Sequence, residues 1–110
     1  MAYQGDYVLA ALVDFKFCTV DSTGAPTVLS GTPAISVYKS NDTTQTTTGV
    51  TLSVDFDGVV GLNHVHIDTS NAFYATGTDF DVVITTGTVD SISVVGYTVG
   101  SFSINNRSAL

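Results

Sequence analysis

Val50-Thr51-Leu52-Ser53-Val54-Asp55-Phe56 decides the fold. Apolar and polar side chains alternate residue by residue, so an extended backbone sends valine, leucine and phenylalanine to one face. Threonine, serine and aspartate go to the other, which is the pattern of a half-buried strand. Phe80, Val82 and Ile84 repeat it against Asp79, Asp81 and Thr85. The residues that build helices are scarce: there is no glutamate, and only Lys16, Lys39 and Arg107 are basic. The sequence specifies a small β-domain, and its reactive groups alone name no function.

The chain has 110 residues, enough for one domain with a single core. Its hydrophobic content of 44% supplies apolar surface to bury, so the low charge content does not signal disorder. A net charge of −7 argues against a nucleic-acid-binding face, because three cations cannot build a basic patch. The same charge disfavours adsorption to an anionic membrane. No window approaches the ~18 apolar residues of a membrane-spanning helix. Met1-Ala2-Tyr3-Gln4-Gly5-Asp6 lacks the basic segment of a secretory signal, so synthesis and retention in a cytoplasm are expected. Cys18 is the one cysteine, which excludes an internal disulfide and suits a small side chain on a β-face.

Turn clusters divide the chain. Residues 1–8 read as an N-terminal arm, with Gly5 and Asp6 breaking regularity; residues 9–106 read as the domain, and 107–110 as a short tail. A strand from Leu9 to Val20 ends at Asp21-Ser22-Thr23-Gly24-Ala25-Pro26. Ala34–Lys39, Val50–Phe56, Leu62–Thr69 and Asp79–Thr85 are further strands, and Thr86–Asp90 is a hairpin-length connector. Ser40–Gly49 is a polar tract, either a loop or an exposed edge ribbon. The last strand, Ile92–Asn105, changes phase at Gly100, where a β-bulge or a crossing between sheets is expected. These spacings predict an all-β fold: an antiparallel immunoglobulin-like β-sandwich of about six to eight strands, with a closed barrel as the alternative. Its expected core is Phe15, Phe17, Ile35, Val37, Leu52, Val54, Val65, Ile67, Val82, Ile84 and Phe102.

The candidate chemistry is thin. His64 and His66 share a strand face with Asp68, a geometry that a metal ion can use. Val65 and Ile67 hold the core-facing parity, however, so the histidines simply occupy the polar face, and no metal or other cofactor is expected. Asp55-Phe56-Asp57-Gly58 and Asp79-Phe80-Asp81 begin like calcium loops but lack the closing glutamate. No Gly-x-Ser-x-Gly elbow or glycine-rich phosphate loop is present, and an enzyme is not expected.

Three segments carry a resemblance. They are Thr19–Pro33; Gly49–Val65; and Tyr74-Ala75-Thr76-Gly77-Thr78-Asp79-Phe80 leading into Val94-Val95-Gly96-Tyr97 and Phe102-Ser103-Ile104. Together, over roughly Phe15 to Arg107, the chain resembles a domain common in virion structural proteins of tailed bacteriophages and their prophage and metagenomic relatives. In many relatives that domain precedes a fibre-like continuation, whereas this chain ends at Leu110. The resemblance implies a non-enzymatic virion protein, made in the host cytoplasm and oligomeric on the particle. The length favours a capsid decoration (cement) protein contacting the major capsid protein. A tail, baseplate or fibre adaptor is the alternative, and a carbohydrate-binding module resting on Tyr38, Phe73, Tyr74 and Tyr97 is weaker still. Tyr3 and Tyr7 in the arm and Arg107 in the tail are the candidate partner contacts.

Overall fold

Alternating sequence becomes strand here wherever the apolar face meets a second sheet. The computed structural model describes residues 2–106, which form nine strands and one short 3-10 turn. The strands are β1 (Tyr3–Tyr7), β2 (Leu12–Cys18), β3 (Leu29–Lys39), β4 (Gln45–Thr46) and β5 (Val50–Ser53). They continue with β6 (Leu62–Asp68), β7 (Thr78–Val89), β8 (Ile92–Ser93) and β9 (Thr98–Ile104). One sheet runs β1-β9-β7-β3-β4, with β8 beside β7, and the other runs β2-β6-β5. The order β2-β6-β5 facing β9-β7-β3 is that of the B-E-D and G-F-C strands of immunoglobulin-type sandwiches. The expected all-β sandwich is therefore the fold.

Several boundaries differ from the sequence reading, each for a local reason. Residues 1–8 were expected as an arm, yet Tyr3–Tyr7 pairs with β9, and pairs parallel rather than antiparallel. Gly5, at φ 118, sits where the register shifts between Tyr3 and Asp6, so it bends the strand instead of ending it. The strand expected over Val50–Phe56 stops at Ser53. Asp55 turns left-handed at φ 49, and its Oδ1 accepts the Gly61 N–H at 2.9 Å, closing the Phe56–Gly58 turn. The supposed connector at Thr86–Val89 belongs to β7, and the hairpin turn falls at Asp90-Ser91. The polar tract is mostly loop, but Gln45–Thr46 adds a short edge strand to β3. The phase change lies one residue from its expected place. Val82 pairs with Gly100 and Val83 with Thr98, leaving Val99 as the bulged residue.

The core lies between the sheets. Phe15, Ile35, Val37, Val65, Ile67, Val82, Ile84 and Phe102 are buried as expected, while Phe17, Leu52 and Val54 are only partly covered. Part of it is an aromatic cluster. Phe80 and Phe102 stack with centroids 5.1 Å apart, and Tyr74 lies 5.3 Å from Phe80. Two residues before Phe102 on the same face of β9, Gly100 lies against the Phe15 ring. A Cβ at Gly100 would come within 2.7 Å of that ring, so the glycine there makes room for a phenyl group.

Candidate functional site

The small sheet places its polar residues in a compact cluster on the outer face. In the β2–β6 register Asp14 faces His66 and Lys16 faces His64. Asp14 Oδ1 accepts from His64 Nε2–H at 2.9 Å and from His66 Nδ1–H at 2.7 Å; an ionised carboxylate can only accept, which fixes the imidazoles as donors. The His66 hydrogen bond holds the Asp14 carboxyl below the usual aspartate range, against a smaller opposing effect of burial and with help from His64. His64 also stacks on Phe56 at 4.8 Å, and Lys16 Nζ lies 4.8 Å above the same Phe56 ring.

Parity alone puts both histidines on this face. Their shared partner, Asp14, is distant in sequence and needed the strand register to be found. Asp68, which the sequence groups with the histidines, instead accepts the Ser70 N–H at 3.0 Å. Among the described residues, no three His, Cys, Asp or Glu side chains are grouped to hold a metal ion.

The outer face of the large sheet carries a second network. Tyr3 and Ser103 share a hydroxyl–hydroxyl bond of 2.6 Å, and Ser103 Oγ donates to Asp6 Oδ1 at 2.6 Å. The Asn106 side-chain amide donates to Asp79 Oδ1 at 3.0 Å. Tyr7 donates to the Gln4 carbonyl at 3.2 Å and meets the Phe102 ring edge-on at 6.3 Å. Tyr3 and Tyr7 thus stitch β1 to its own domain, while Arg107 lies outside the described residues. Asp81, beside this network, has its carboxyl raised by burial and then by the neighbouring charge of Asp79.

A groove of about 470 Å³ opens on the flank where β2 faces the upstream half of β9, lined by Phe17, Cys18, Thr19, Tyr97 and Val99 among others. A smaller hollow of about 280 Å³ adjoins it through Cys18, Thr19 and Tyr97 and reaches Val20 and Ile92. Tyr97 is 63% exposed there, and Val20, Ile92 and Val95 are exposed around it. Leu12, at the other end of β2, is 57% exposed. β1 covers β9 only from Ser101 onward, so among the described residues no strand pairs with the upstream part of this flank.

The four aromatics expected to line a sugar site are dispersed. Tyr74 is fully buried, with its hydroxyl pushed up to about 12 by burial and then by the Asp68 charge. Phe73 packs beside it, Tyr38 receives a bond from Gln45 at the β4 edge, and only Tyr97 reaches the groove.

These features define an all-β sandwich whose open surfaces are an acidic sheet face, a histidine–aspartate cluster and a bare flank. No family model, curated protein or solved structure matches the chain.

Proposed function

We propose that this protein is a non-enzymatic structural subunit of a tailed-bacteriophage particle, seated on the outer head surface as a decoration protein. The observation that carries this reading is the resemblance running from about Phe15 to Arg107, described above. The architecture is compatible with it. A rigid sandwich with short turns is a building block, and its function resides in surfaces rather than in a reactive centre. The two histidines, the best candidates for chemistry in the sequence, are engaged by Asp14 across strands. The major capsid protein is the proposed partner and the virion the proposed location.

An adaptor on the tail, baseplate or fibre is the second reading, favoured by the same resemblance and by a flank open to another protein. Particles carrying an epitope-tagged copy, purified and labelled for electron microscopy, test both. Label over heads supports decoration. Label confined to tails selects the adaptor, and purified particles free of the protein would discard the virion reading.

A further inference from the structure

We propose that β2 is a homodimerisation edge: it pairs antiparallel with β2 of a second copy, about a two-fold axis through Phe15. β2 ends the small sheet, whose order is β2-β6-β5. Its backbone polarity follows from the neighbouring bonds. Asp68 N–H donates to Gly49 on the β5 side, and Thr69 N–H donates to Ala11 on the β2 side. Alternation along β6 then makes Val13, Phe15 and Phe17 the residues hydrogen-bonded to β6. The N–H and C=O groups of Leu12, Asp14, Lys16 and Cys18 consequently point away from the sheet, as a ready template for another strand.

The side chains select both the partner and the register. With Phe15 on the axis, Asp14 stands opposite the partner's Lys16 and Lys16 opposite the partner's Asp14. Leu12 meets the partner's Cys18 on the same outer face, while Val13 meets the partner's Phe17 on the inner one. Directly opposed charges of opposite sign stabilise an antiparallel pair, and like charges destabilise it. Sliding the strands to the next registers that preserve the faces places Asp14 against its own copy, or Lys16 against its own copy. Only the register about Phe15 overlaps the whole strand and pairs both charges.

Both imidazoles bind Oδ1 of Asp14, which leaves Oδ2 directed to no other side chain among the described residues. The half-covered Phe17 would gain cover from the partner's Val13, and Leu12 and Tyr97 supply exposed apolar surface alongside. A lysine in an edge strand ordinarily guards it against pairing. Here Asp14, two residues away on the same face, converts that guard into a register key. The interface is isologous and closes at two copies, joining the two small sheets into one continuous sheet. It depends only on β2, and so holds for a head or a tail location alike.

Charge reversal tests the pairing in the full chain at 0.15 M salt, where the repulsion between two copies of charge −7 is screened beyond about 8 Å. Light scattering and sedimentation should find wild type at twice the 11.5 kDa monomer mass. Asp14→Lys and Lys16→Asp should each be monomeric, because each sets like charges face to face. Mixed together, the two variants should dimerise, as should the double variant, since both restore opposite pairs. Circular dichroism checks that each variant is folded; Lys16→Asp leaves the Asp14–histidine bonds untouched.

Leu12→Cys provides an independent readout. It puts a thiol opposite the partner's Cys18 in a pair with Cα atoms about 5.5 Å apart, within disulfide reach. The two thiols of one chain lie at opposite ends of an extended strand, too far apart to bond. Oxidised Leu12→Cys should run as a covalent dimer and wild type should not. A wild type monomeric at all concentrations, a dimer indifferent to both charge reversals, or wild type cross-linking as fast as Leu12→Cys would each overturn the proposal.

Discussion

Two edges on one flank of the sandwich are finished in opposite ways. At the downstream half of β9, β1 adds a parallel strand, and Tyr3, Asp6 and Ser103 tie it down with hydroxyl and carboxylate bonds. Across the core, β2 carries a similarly regular strand and, among the described residues, has no such cover. β9 has its outward hydrogen bonds there satisfied by β1, which becomes the end of that sheet, whereas β2 keeps a row of them for solvent or for a partner. Alternation was equally clear in β2 and in the covered β9 segment. Whether a strand is capped depends on where another segment folds, and the capping of β9 marks β2 as the place to look for interaction.

Phe80 lies at the centre of the packed aromatic cluster and is fully buried. Phe80→Ala should lower unfolding free energy by roughly 3–5 kcal/mol in denaturant titration, the largest single effect expected. Phe17→Ala, on the open flank, should cost clearly less, because that ring is only partly covered. Equal losses would mean that the flank is as closed as the core.

Gly100→Ala probes the junction between the two regions. The added Cβ meets the Phe15 ring at 2.7 Å, and overpacking of this kind costs about 1–3 kcal/mol. Combining it with Phe15→Leu should recover part of that loss; strict additivity would show that the contact is not the cause.

Ser103→Ala tests the covered edge. It removes a buried hydroxyl that joins Tyr3 to Asp6, and a loss of about 1–2 kcal/mol is expected in denaturant titration. A neutral result would mean that the backbone pairing alone holds β1.

The smallest effects are electrostatic and opposite in sign. The Asp14 carboxyl is held below its unfolded value, so its stabilisation is present above pH 3.8 or so and is lost as pH falls through the lowered folded value. The stability difference between wild type and Asp14→Asn should therefore shrink in acid. The Asp81 carboxyl is raised, so its contribution is favourable below the unfolded value and is lost as pH rises through the folded one. At pH 7 Asp81→Asn should stabilise by a few tenths of a kcal/mol, within the usual range for surface changes.

What was legible in the sequence was local. The period of two gave β2, β6 and β7 their inward faces, and it placed His64 and His66 outward. The bulge beside Gly100 was visible as a change of phase. Tyr74 escaped because it lies in the connection between β6 and β7, where no periodicity reports burial, although it is among the largest buried side chains. β1 escaped because its partner lies at the far end of the chain, and a short edge strand interrupted by glycine has no signal of its own. The Asp14–histidine cluster needed the β2–β6 register, which alternation does not supply. Asp55 ended the strand early because its own carboxylate organises a turn, a competition that the alternating pattern conceals.

Amide hydrogen exchange along β2, followed by NMR at increasing protein concentration, tests most directly whether the bare edge is an interaction surface. The Val13 and Phe15 amides face β6 and should be protected throughout. The Asp14 and Lys16 amides face outward; they should exchange quickly in dilute protein and become protected together as the concentration rises. Asp14 and Lys16 amides that stay unprotected at every concentration, or that are already protected in the monomer, would contradict the account.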